Sequence, residues 1–341
     1  MIRNTRRDFL RAVAGLGTSV AGLVLIDACG LVPALTQPKI QRIGYLDFTA
    51  REVNADLGYR AALIDGLQAA GWTEGQNLTI EQPYADSRID LVPGLLAELV
   101  GLRVDVLVVE GSSLAALAAE HATSTIPIVA MPLEAPVEEG LVASLGRPGG
   151  NLTGLTNRAP GEFGKSVELL HAVVPALARV AVFTTFTNPI RVTAWDEIRI
   201  AAEGYGVQAD AIEVPSVEDI DAAFEAAVSS RADGVINNNR GPLLPGRARF
   251  GELAIQRGLP SIGFAREWPA SGTLLGYGPN LVAMYRHAAV YVDKILRGAK
   301  PGDLPVEQPT VFDFVVNFKT AQALGMPVPA DIQAQVTEWI Q

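Results

Sequence analysis

The sequence predicts an α/β protein with two doubly wound, Rossmann-like lobes, each built on a parallel sheet. Strand-like and helix-like segments alternate along the chain from about residue 41, which is the pattern of repeated βαβ units. Apolar runs such as Val104–Val109 are continuous, as expected for strands that are covered by helices on both faces. The alternation stops near residues 150–160 and then begins again, so we expect two successive lobes.

The first series of elements is predicted from apolar periodicity and helix stop signals. In Gly58–Ala70, for example, Ala62, Leu63 and Leu67 form one apolar stripe, and Gly71 ends the helix. The same reasoning predicts strands at Arg42–Leu46, Asn77–Gln82, Val104–Val109 and Ile126–Met131, and helices at Gly58–Ala70, Leu91–Leu102, Ser112–His121 and Gly140–Leu145.

The second series repeats this order and is followed by a tail. Strands are predicted at Val180–Thr184, Val207–Val214, Gly234–Asn237, Pro260–Phe264 and Thr273–Tyr277, and helices at Ile190–Tyr205, Val217–Ser229, Arg247–Arg257 and Leu281–Leu296. The tail holds a β-rich run, Thr310–Asn317, and a short helix, Lys319–Leu324. We find no short tandem repeat, so the two halves repeat in architecture and not in sequence.

Residues 1–28 have the form of an export signal. The pair Arg6-Arg7, followed by Phe9 and Leu10, is typical of a twin-arginine signal. The apolar run that follows, Ala12–Ile26, is shorter than the roughly 20 residues that span a bilayer as a helix. Its apolar residues occupy every face, which disfavours a surface-bound amphipathic helix. We therefore expect an exported protein in which residues 29–40 form a tether.

Cys29 is the only cysteine in the chain, so no disulfide can form within it. Its position after Ala28, at the end of the apolar run, resembles the lipobox of bacterial lipoproteins, whose cysteine is acylated. Asp27 stands where that motif prefers a small neutral residue, so ordinary cleavage nearby is the alternative. The sequence thus predicts a periplasmic or extracytoplasmic protein whose membrane contact is a lipid anchor on Cys29.

Composition and charge exclude several classes of function. The chain has 27 basic and 37 acidic residues; residues 1–28 hold four Arg and two Asp, which leaves 23 basic and 35 acidic residues, a net charge of −12. Nucleic-acid binding needs a clustered basic surface, so we expect no nucleic-acid partner. His121, His171 and His287 lack metal-ligand spacing and a neighbouring nucleophile. We therefore expect no catalytic residue, no metal and no cofactor.

Loops that follow the predicted strands are the candidate binding site, because ligands of open parallel sheets lie beyond the carboxyl ends of the strands. Gly111-Ser112-Ser113 is the first candidate, since glycine permits close backbone approach and a helix N-terminus stabilises a carboxylate. The alternative is that the two serines are ordinary helix caps.

Other loops supply groups for the rest of a ligand. Asp47 or Glu134 can receive an ammonium group, although either can equally be a solvated loop acid. The remaining candidates are Phe48, Phe186 and Tyr277 as an aromatic wall, Asn238 and Asn239 as amides that close over a polar ligand or form a turn, and Thr49, Asn188 and Glu267 from the same loops.

Several sequence blocks, taken in their order and spacing, carry a resemblance to a known family. They are GWTEGQNLTIE (71–81), LAALAAEHATSTIPIV (114–129), GLVASLGRPGGNLTGLT (140–156), GYGPN (276–280), AAVYVDKILRGAKPGDLPVEQPT (288–310) and VVNFKTAQALGMPVP (315–329). Over about residues 41–335 the chain resembles the ABC-transporter substrate-binding proteins that include tryptophan- and tyrosine-binding members. The resemblance implies a type I periplasmic-binding-protein fold, with two lobes joined by a three-strand hinge.

On this basis we expect an N-terminal lobe of residues 41–155 and 273–300, and a C-terminal lobe of residues 156–272 and 301–341. The expected crossovers are Thr153–Asn157, Ala270–Thr273 and about 301–312. The implied function is that of a monomeric solute-binding component of an ABC importer. It would capture a small polar or aromatic, carboxylate-bearing ligand, amino-acid-like in character, and present it to the permease.

Two departures from the family pattern leave the ligand open. Ala135 precedes Pro136 where members commonly have an acid, and Asn237-Asn238 stand where members often have Pro-Asp. If those acids hold the amine of the family's ligands, a different carboxylate or a neutral polar ligand is the alternative here. The rival function is a periplasmic subunit that senses a ligand and modulates a receptor or kinase. A hydrolase is disfavoured because the sequence has no Gly-x-Ser-x-Gly turn.

Overall fold

The computed structural model describes residues 39–51 and 57–341. The predicted export signal, Cys29 and most of the predicted tether lie outside the described residues. Ile40–Gln341 form one compact unit, in which two separate sheets define the two lobes. Within the described residues, no helix is both long and apolar enough to cross a membrane.

The first lobe is built on five parallel strands. In chain order they are β1 (Gln41–Asp47), β2 (Leu78–Glu81), β3 (Val106–Glu110), β4 (Ile128–Leu133) and β5 (Leu152–Thr156), and in the sheet they stand in the order β2-β1-β3-β4-β5. The helices between them are α1 (Tyr59–Ala69), α2 (Val92–Gly101) and α3 (Ser113–Ala122).

Helices cover both faces of this sheet. Val106 and Val108 of β3 pack in one apolar cluster with residues of α1, whereas Leu107 and Val109 pack in another with residues of α2 and α3. Successive side chains of a strand point to opposite faces, so a strand buried on both faces has to be apolar throughout. This explains the continuous apolar run that predicted a parallel sheet.

The second lobe is built on seven strands: β6 (Arg179–Thr184), β7 (Gln208–Glu213), β8 (Gly234–Asn237), β9 (Ser261–Phe264), β10 (Leu275–Pro279), β11 (Phe312–Asn317) and β12 (Glu338–Ile340). Their order in the sheet is β12-β11-β10-β9-β8-β6-β7. β6 to β10 are parallel, β11 is antiparallel to β10, and β12 is parallel to β11. The predicted α/β class with two doubly wound lobes is confirmed.

The helices of the remaining chain include α4 (Glu162–Val173), α5 (Pro189–Gly204), α6 (Ile220–Ser229), α7 (Arg240–Leu243), α8 (Arg247–Gln256), α9 (Glu267–Ala270), α10 (Leu281–Leu296), α11 (Phe318–Ala323) and α12 (Ala330–Gln333). α10 returns to the first lobe, where its residues pack in one apolar cluster with those of α1 and β1. α6 and α8 pack on one face of the second sheet, and α4 and α5 on the other.

The boundary between the lobes differs from the expected one after residue 272. β10 pairs with β9 and β11 in the second sheet, although residues 273–300 were expected in the first lobe. Ala270–Thr273 therefore connect two elements of the second lobe and are not a crossover. The chain returns to the first lobe between the end of β10 and the start of α10, because the apolar face of α10, unlike β10, packs on α1 of the first lobe.

The three connections between the lobes lie side by side. The backbone N–H of Thr156 donates to Glu307 O at 3.0 Å, and that of Glu307 donates to Gly154 O at 3.2 Å. The backbone N–H of Asn280 donates to Val311 O at 3.0 Å. The end of β5, the start of α10 and residues 307–311 thus form one hydrogen-bonded hinge of three connecting segments.

Two differences between the predicted and the observed helices have identifiable reasons. Residues 140–145 form no helix, and their apolar periodicity arises because Leu141 and Val142 pack a loop against the first core. Helix α4 is absent from the predicted elements, and it contains Gly164, a residue that weakens helices. A Cβ on Gly164 would lie 3.2 Å from Ala201 Cβ, so the glycine serves the close packing of α4 on α5.

We expect Gly154→Ala to destabilise the protein strongly. Gly154 lies on β5 beside the hinge at φ +154°, and a Cβ there would lie 1.9 Å from the backbone oxygen of Ala130. Such overpacking costs about 1–3 kcal/mol or more, so the midpoint of urea unfolding should fall. Gly94→Ala on α2 is the matched control, because nothing lies within 4 Å of its added methyl and alanine favours a helix by about 1 kcal/mol. Equal midpoints for the two variants would contradict the prediction.

Candidate functional site

Both sheets place polar residues at the same point of their topology. When the strands are numbered in chain order within each lobe, both sheets contain the order 2-1-3-4-5 from one edge. The winding direction therefore reverses between strands 1 and 3 of each lobe. Ligands of open α/β sheets bind at this switch point, beyond the carboxyl ends of the strands. In the first lobe Asp47 and Glu110 end these strands and are register partners. In the second lobe the corresponding ends carry Thr184 and Asn237.

The two acids of the first lobe are buried side by side. Asp47 is 0 % and Glu110 is 1 % exposed. Asp47 Oδ1 accepts the backbone N–H of Thr49 at 3.1 Å and its hydroxyl at 2.8 Å. Burial, and then the neighbouring Asp47 carboxyl, raises the pKa of Glu110 well above its ordinary value. Glu110 therefore holds a proton more readily than an exposed glutamate, and a cation placed beside it would favour its release.

Two stacked tyrosines link these acids to the second lobe. Tyr59 of α1 and Tyr285 of α10 lie with ring centroids 4.4 Å apart and planes 6° apart. The Tyr285 hydroxyl donates to Glu110 Oε1 at 2.6 Å. The Tyr59 hydroxyl donates to Glu267 Oε1, across the cleft. Burial raises the pKa of both tyrosines and of Glu267, so both hydroxyls remain donors.

The Gly-Ser-Ser turn forms the start of α3. Gly111 has φ +89°, and a Cβ there would lie 3.2 Å from Phe48 Cβ, so the turn requires glycine. Ser112 is the helix cap, and its Oγ accepts the backbone N–H of Ala115 at 3.4 Å. Ser113 Oγ accepts the backbone N–H of Glu134 at 3.4 Å. The capping role that the sequence left as an alternative is thus present, and α3 begins beside the loop that follows β4.

An ion pair crosses the cleft at this loop. Glu134 of the first lobe accepts from Arg191 Nη2 of the second lobe. Arg191 Nη1 also donates to the backbone oxygen of Asn238 at 3.1 Å. The side chain of Arg191 is 4 % exposed, against 26 % for Glu134. Glu139 lies nearby, and burial raises the pKa of its carboxyl. A buried arginine therefore faces the first lobe close to the start of α3.

The asparagine run after β8 is a buried turn. Asn237 Oδ1 accepts the backbone N–H of Asn239 at 3.0 Å, and Asn239 Nδ2 donates to Val214 O at 2.6 Å. Asn238 Nδ2 donates to Thr184 Oγ1 at 3.0 Å. Asn237 Nδ2, Asn238 Oδ1 and Asn157 Oδ1 are buried and have no hydrogen-bond partner among residues 39–51 and 57–341. Buried polar atoms are rarely left unpaired, so these amides are candidates to bind a ligand or water.

The side chains of four predicted residues have other surroundings among the described residues, although the backbone N–H of Phe48 donates to Glu110 O at 3.1 Å. Phe186 is 46 % exposed, and Phe48 packs against the first core. Asn188 caps α5, where its Oδ1 accepts the backbone N–H of Ile190 at 2.9 Å. Tyr277 stacks on Phe312 at 5.8 Å and packs against the second core. By contrast, the predicted residues Asp47, Thr49, Glu134, Asn238, Asn239 and Glu267 have the contacts described above.

Sequence reasoning missed four residues of the site. Glu110 had a usable signal, because it is the acid that ends a continuous apolar strand. Arg191 stands in the first turn of a predicted helix after a predicted strand, which is also the right place for a site residue. Tyr59 and Tyr285 have no local signal, because only the packing of α1 on α10 brings them together.

Cavities do not coincide with the paired acids. A cavity of about 560 Å³ lies beside Phe318 and Trp339, and its lining holds no charged side chain. Another of about 450 Å³ borders Glu267 on the side of Arg266 and Asp313. We place the candidate site at the switch points because buried polar side chains of both lobes meet there. Among the described residues, no cluster of three or more His, Cys, Asp or Glu could hold a metal ion.

We expect Glu110→Gln to flatten the pH dependence of stability. The folded state keeps a proton on Glu110 where the unfolded chain has lost it, so the wild-type free energy of unfolding falls as pH rises above the ordinary glutamate pKa of about 4.3. One proton corresponds to a slope of up to about 1.4 kcal/mol per pH unit. The variant should lack this part of the slope, and at pH 8 its free energy of unfolding should exceed that of the wild type. Urea unfolding between pH 4 and pH 8 measures it; the exposed Glu98→Gln is the control and should keep the wild-type slope.

Comparisons with known proteins find relatives in sequence and in fold. A protein of Clostridioides difficile (strain R20291) named tyrosine-binding protein is 23 % identical over 267 residues, which are 78 % of this chain and 76 % of that protein. A crystal structure of a conserved domain protein from Vibrio cholerae is 26 % identical, with a TM-score of 0.78, over 88 % of this chain and 100 % of that one. An ABC domain in complex with L-Trp from Streptococcus pneumonia is 24 % identical, with a TM-score of 0.78, over 88 % and 99 %.

The family model for ABC transporter substrate binding proteins matches residues 52–340. This match covers the second sheet, the hinge and the first sheet except β1, so it includes Glu110 but not Asp47. Proteins of this family bind solutes outside the cytoplasm and are not enzymes. With its two doubly wound lobes and their facing polar strand ends, the chain belongs to the family of ABC transporter substrate-binding proteins.

Proposed function

We propose that this chain captures an amino-acid-like ligand in the cleft between its lobes and delivers it to the permease of an ABC importer. The observation that carries the proposal is the buried pair Asp47 and Glu110 at the switch point of the first lobe, next to the start of α3. Acids on one side and a helix N-terminus on the other suit a ligand with an ammonium and a carboxylate group.

The acids would receive the ammonium group. A buried cation needs a paired acid, and Asp47 and Glu110 are the fully buried carboxyls of this edge. Neither of the family's acids at positions 135 and 238 is needed for this role, because Asp47 and Glu110 end two other strands, β1 and β3 of the first sheet. The departures at Ala135 and Asn238 are thus compatible with an amine ligand.

The start of α3 and the tyrosine pair would receive the rest of the ligand. The first N–H groups of a helix have no partner within it, and the helix dipole favours a negative group there. Tyr59 and Tyr285 add an aromatic surface beside the acids. An aromatic amino acid is favoured, since the relatives include a tyrosine-binding protein and a structure with L-Trp.

We also propose export through the twin-arginine signal and anchoring through a lipid on Cys29. A binding protein that serves an importer has to remain near its permease outside the cytoplasm. Stable anchoring needs more than one acyl chain, which a modified lipoprotein cysteine would carry. A tether of residues 29–40 would let a monomeric binding unit reach the permease.

We expect Asp47→Asn to weaken binding of an aromatic amino acid by at least about 30-fold. Loss of one partner from a buried charge pair costs about 2 kcal/mol or more, which is that factor. Titration calorimetry of the mature chain with L-tryptophan, L-tyrosine and L-phenylalanine measures the change. Asp65→Asn is the matched control, because Asp65 lies on α1 in an exposed pair with Arg286 and should bind as the wild type does. A wild type that binds none of these ligands would contradict the proposed ligand class.

We expect the mature protein to begin at an acylated Cys29. In a bacterial host that processes lipoproteins, mass spectrometry of the membrane fraction should find the lipid on Cys29. Cys29→Ser should move the protein to the soluble exported fraction, and replacement of both Arg6 and Arg7 by Lys should leave it in the cytoplasm. An unmodified Cys29 in the membrane fraction, or a mature start beyond it, would contradict the anchor.

A further inference from the structure

The ion pair between Glu134 and Arg191 is the strongest feature that the proposed function leaves unused. We propose that Glu134 is a built-in competitor for the ligand's carboxylate, and that Arg191 binds either Glu134 or the ligand but not both. This inference rests on the proposed function of the cleft and adds to it a specificity-determining pair.

Arg191 is held rigidly by its own lobe. Its Nη1 donates to Asn238 O at 3.1 Å, and its own backbone oxygen accepts from Asn238 Nδ2 at 3.3 Å. The guanidinium also lies 6.0 Å from the ring centre of Phe163, within the range of a cation–π contact. The arginine head is therefore preorganised to meet a carboxylate from the first lobe.

Glu134 is the less firmly held partner. Its side chain is 26 % exposed, whereas that of Arg191 is 4 % exposed. A buried charge that loses its partner costs several kcal/mol, whereas a carboxylate that is already partly exposed can regain water at a smaller cost. Arg191 thus needs an anion, and Glu134 can be replaced as that anion. The exchange favours only a ligand that brings its own carboxylate.

The start of α3 lies beside this pair. Ser113 opens α3, and its Oγ accepts the backbone N–H of Glu134. A carboxylate that replaced the Glu134 side chain would contact Arg191 from the second lobe while it lies near the α3 N-terminus of the first. Contacts with both lobes are what stabilises a closed cleft. An amide or amine without the carboxylate would leave Glu134 in place and gain neither contact.

Chemical rescue tests the pair without knowledge of the natural ligand. Glu134→Ala leaves a site for a small anion, so sodium acetate should raise its thermal midpoint by several degrees more than sodium chloride of equal concentration does. Glu138→Ala, in the same loop and exposed, is the matched control and should show no such difference. Addition of Arg191→Gln to Glu134→Ala should abolish the effect. If Glu134→Ala does not fold, Glu134→Gln takes its place in the ligand comparison below.

The second measurement compares L-tryptophan with L-tryptophanamide, which lacks the carboxylate. Glu134→Ala removes the competitor, so this variant should bind L-tryptophan about tenfold more tightly or better (about 1.4 kcal/mol) and bind the amide as the wild type does. An acetate response of Glu134→Ala no greater than that of Glu138→Ala would overturn the inference, even if the wild type binds L-tryptophan. If the wild type binds no amino acid but acetate clearly rescues Glu134→Ala, the proposed ligand class is wrong and the inferred role of the Glu134–Arg191 pair is supported.

Discussion

A parallel sheet that helices cover on both faces can offer polar groups only where its strands end. In both lobes the interiors of the central strands, such as β3 and β8, are apolar because each of their faces lies against a core. Polar residues therefore collect at the carboxyl ends, and the reversal of winding leaves a crevice there. Asp47 and Glu110 in the first lobe, and Thr184 and Asn237 in the second, follow from this one constraint.

The contacts between the lobes differ in kind from those within them. Each large apolar cluster lies essentially within one lobe, with α10 counted in the first. Across the cleft the described contacts are polar: Tyr59 with Glu267, and Glu134 with Arg191. A hydrogen bond to a charged group contributes about 1.5–3 kcal/mol net, so a ligand that supplies a replacement partner can offset the loss of such a contact. Lobes that are each held by their own core, and that meet through polar contacts which can be exchanged, suit a protein that opens and closes around a ligand.

The tyrosine pair lies between the buried acids of the candidate site and the polar contacts that cross the cleft. Hydrogen bonds link Glu110 to Tyr285 and Tyr59 to Glu267, and the two rings stack between them. A change of charge on Glu110 therefore affects its hydrogen bond with the Tyr285 hydroxyl. Tyr285 stacks on Tyr59, and Tyr59 contacts the second lobe. Since burial raises the pKa of Glu110 and of Glu267, both carboxyls accept these bonds in a setting that tolerates little unbalanced charge.

The sequence by itself determined the fold class, because a period of two or 3.6 residues and glycine stop signals are local properties of the chain. It also predicted Asp47, Glu134 and Asn238 for the candidate site, since each lies at or just after the end of a recognisable strand. Residues 273–279 were assigned to the wrong lobe because strand pairing depends on distant partners and not on local pattern. The pairing of Tyr59 with Tyr285, and of Glu134 with Arg191, was decided only by tertiary structure. These residues are 226 and 57 positions apart in the chain, and only helix packing and lobe contact bring them together.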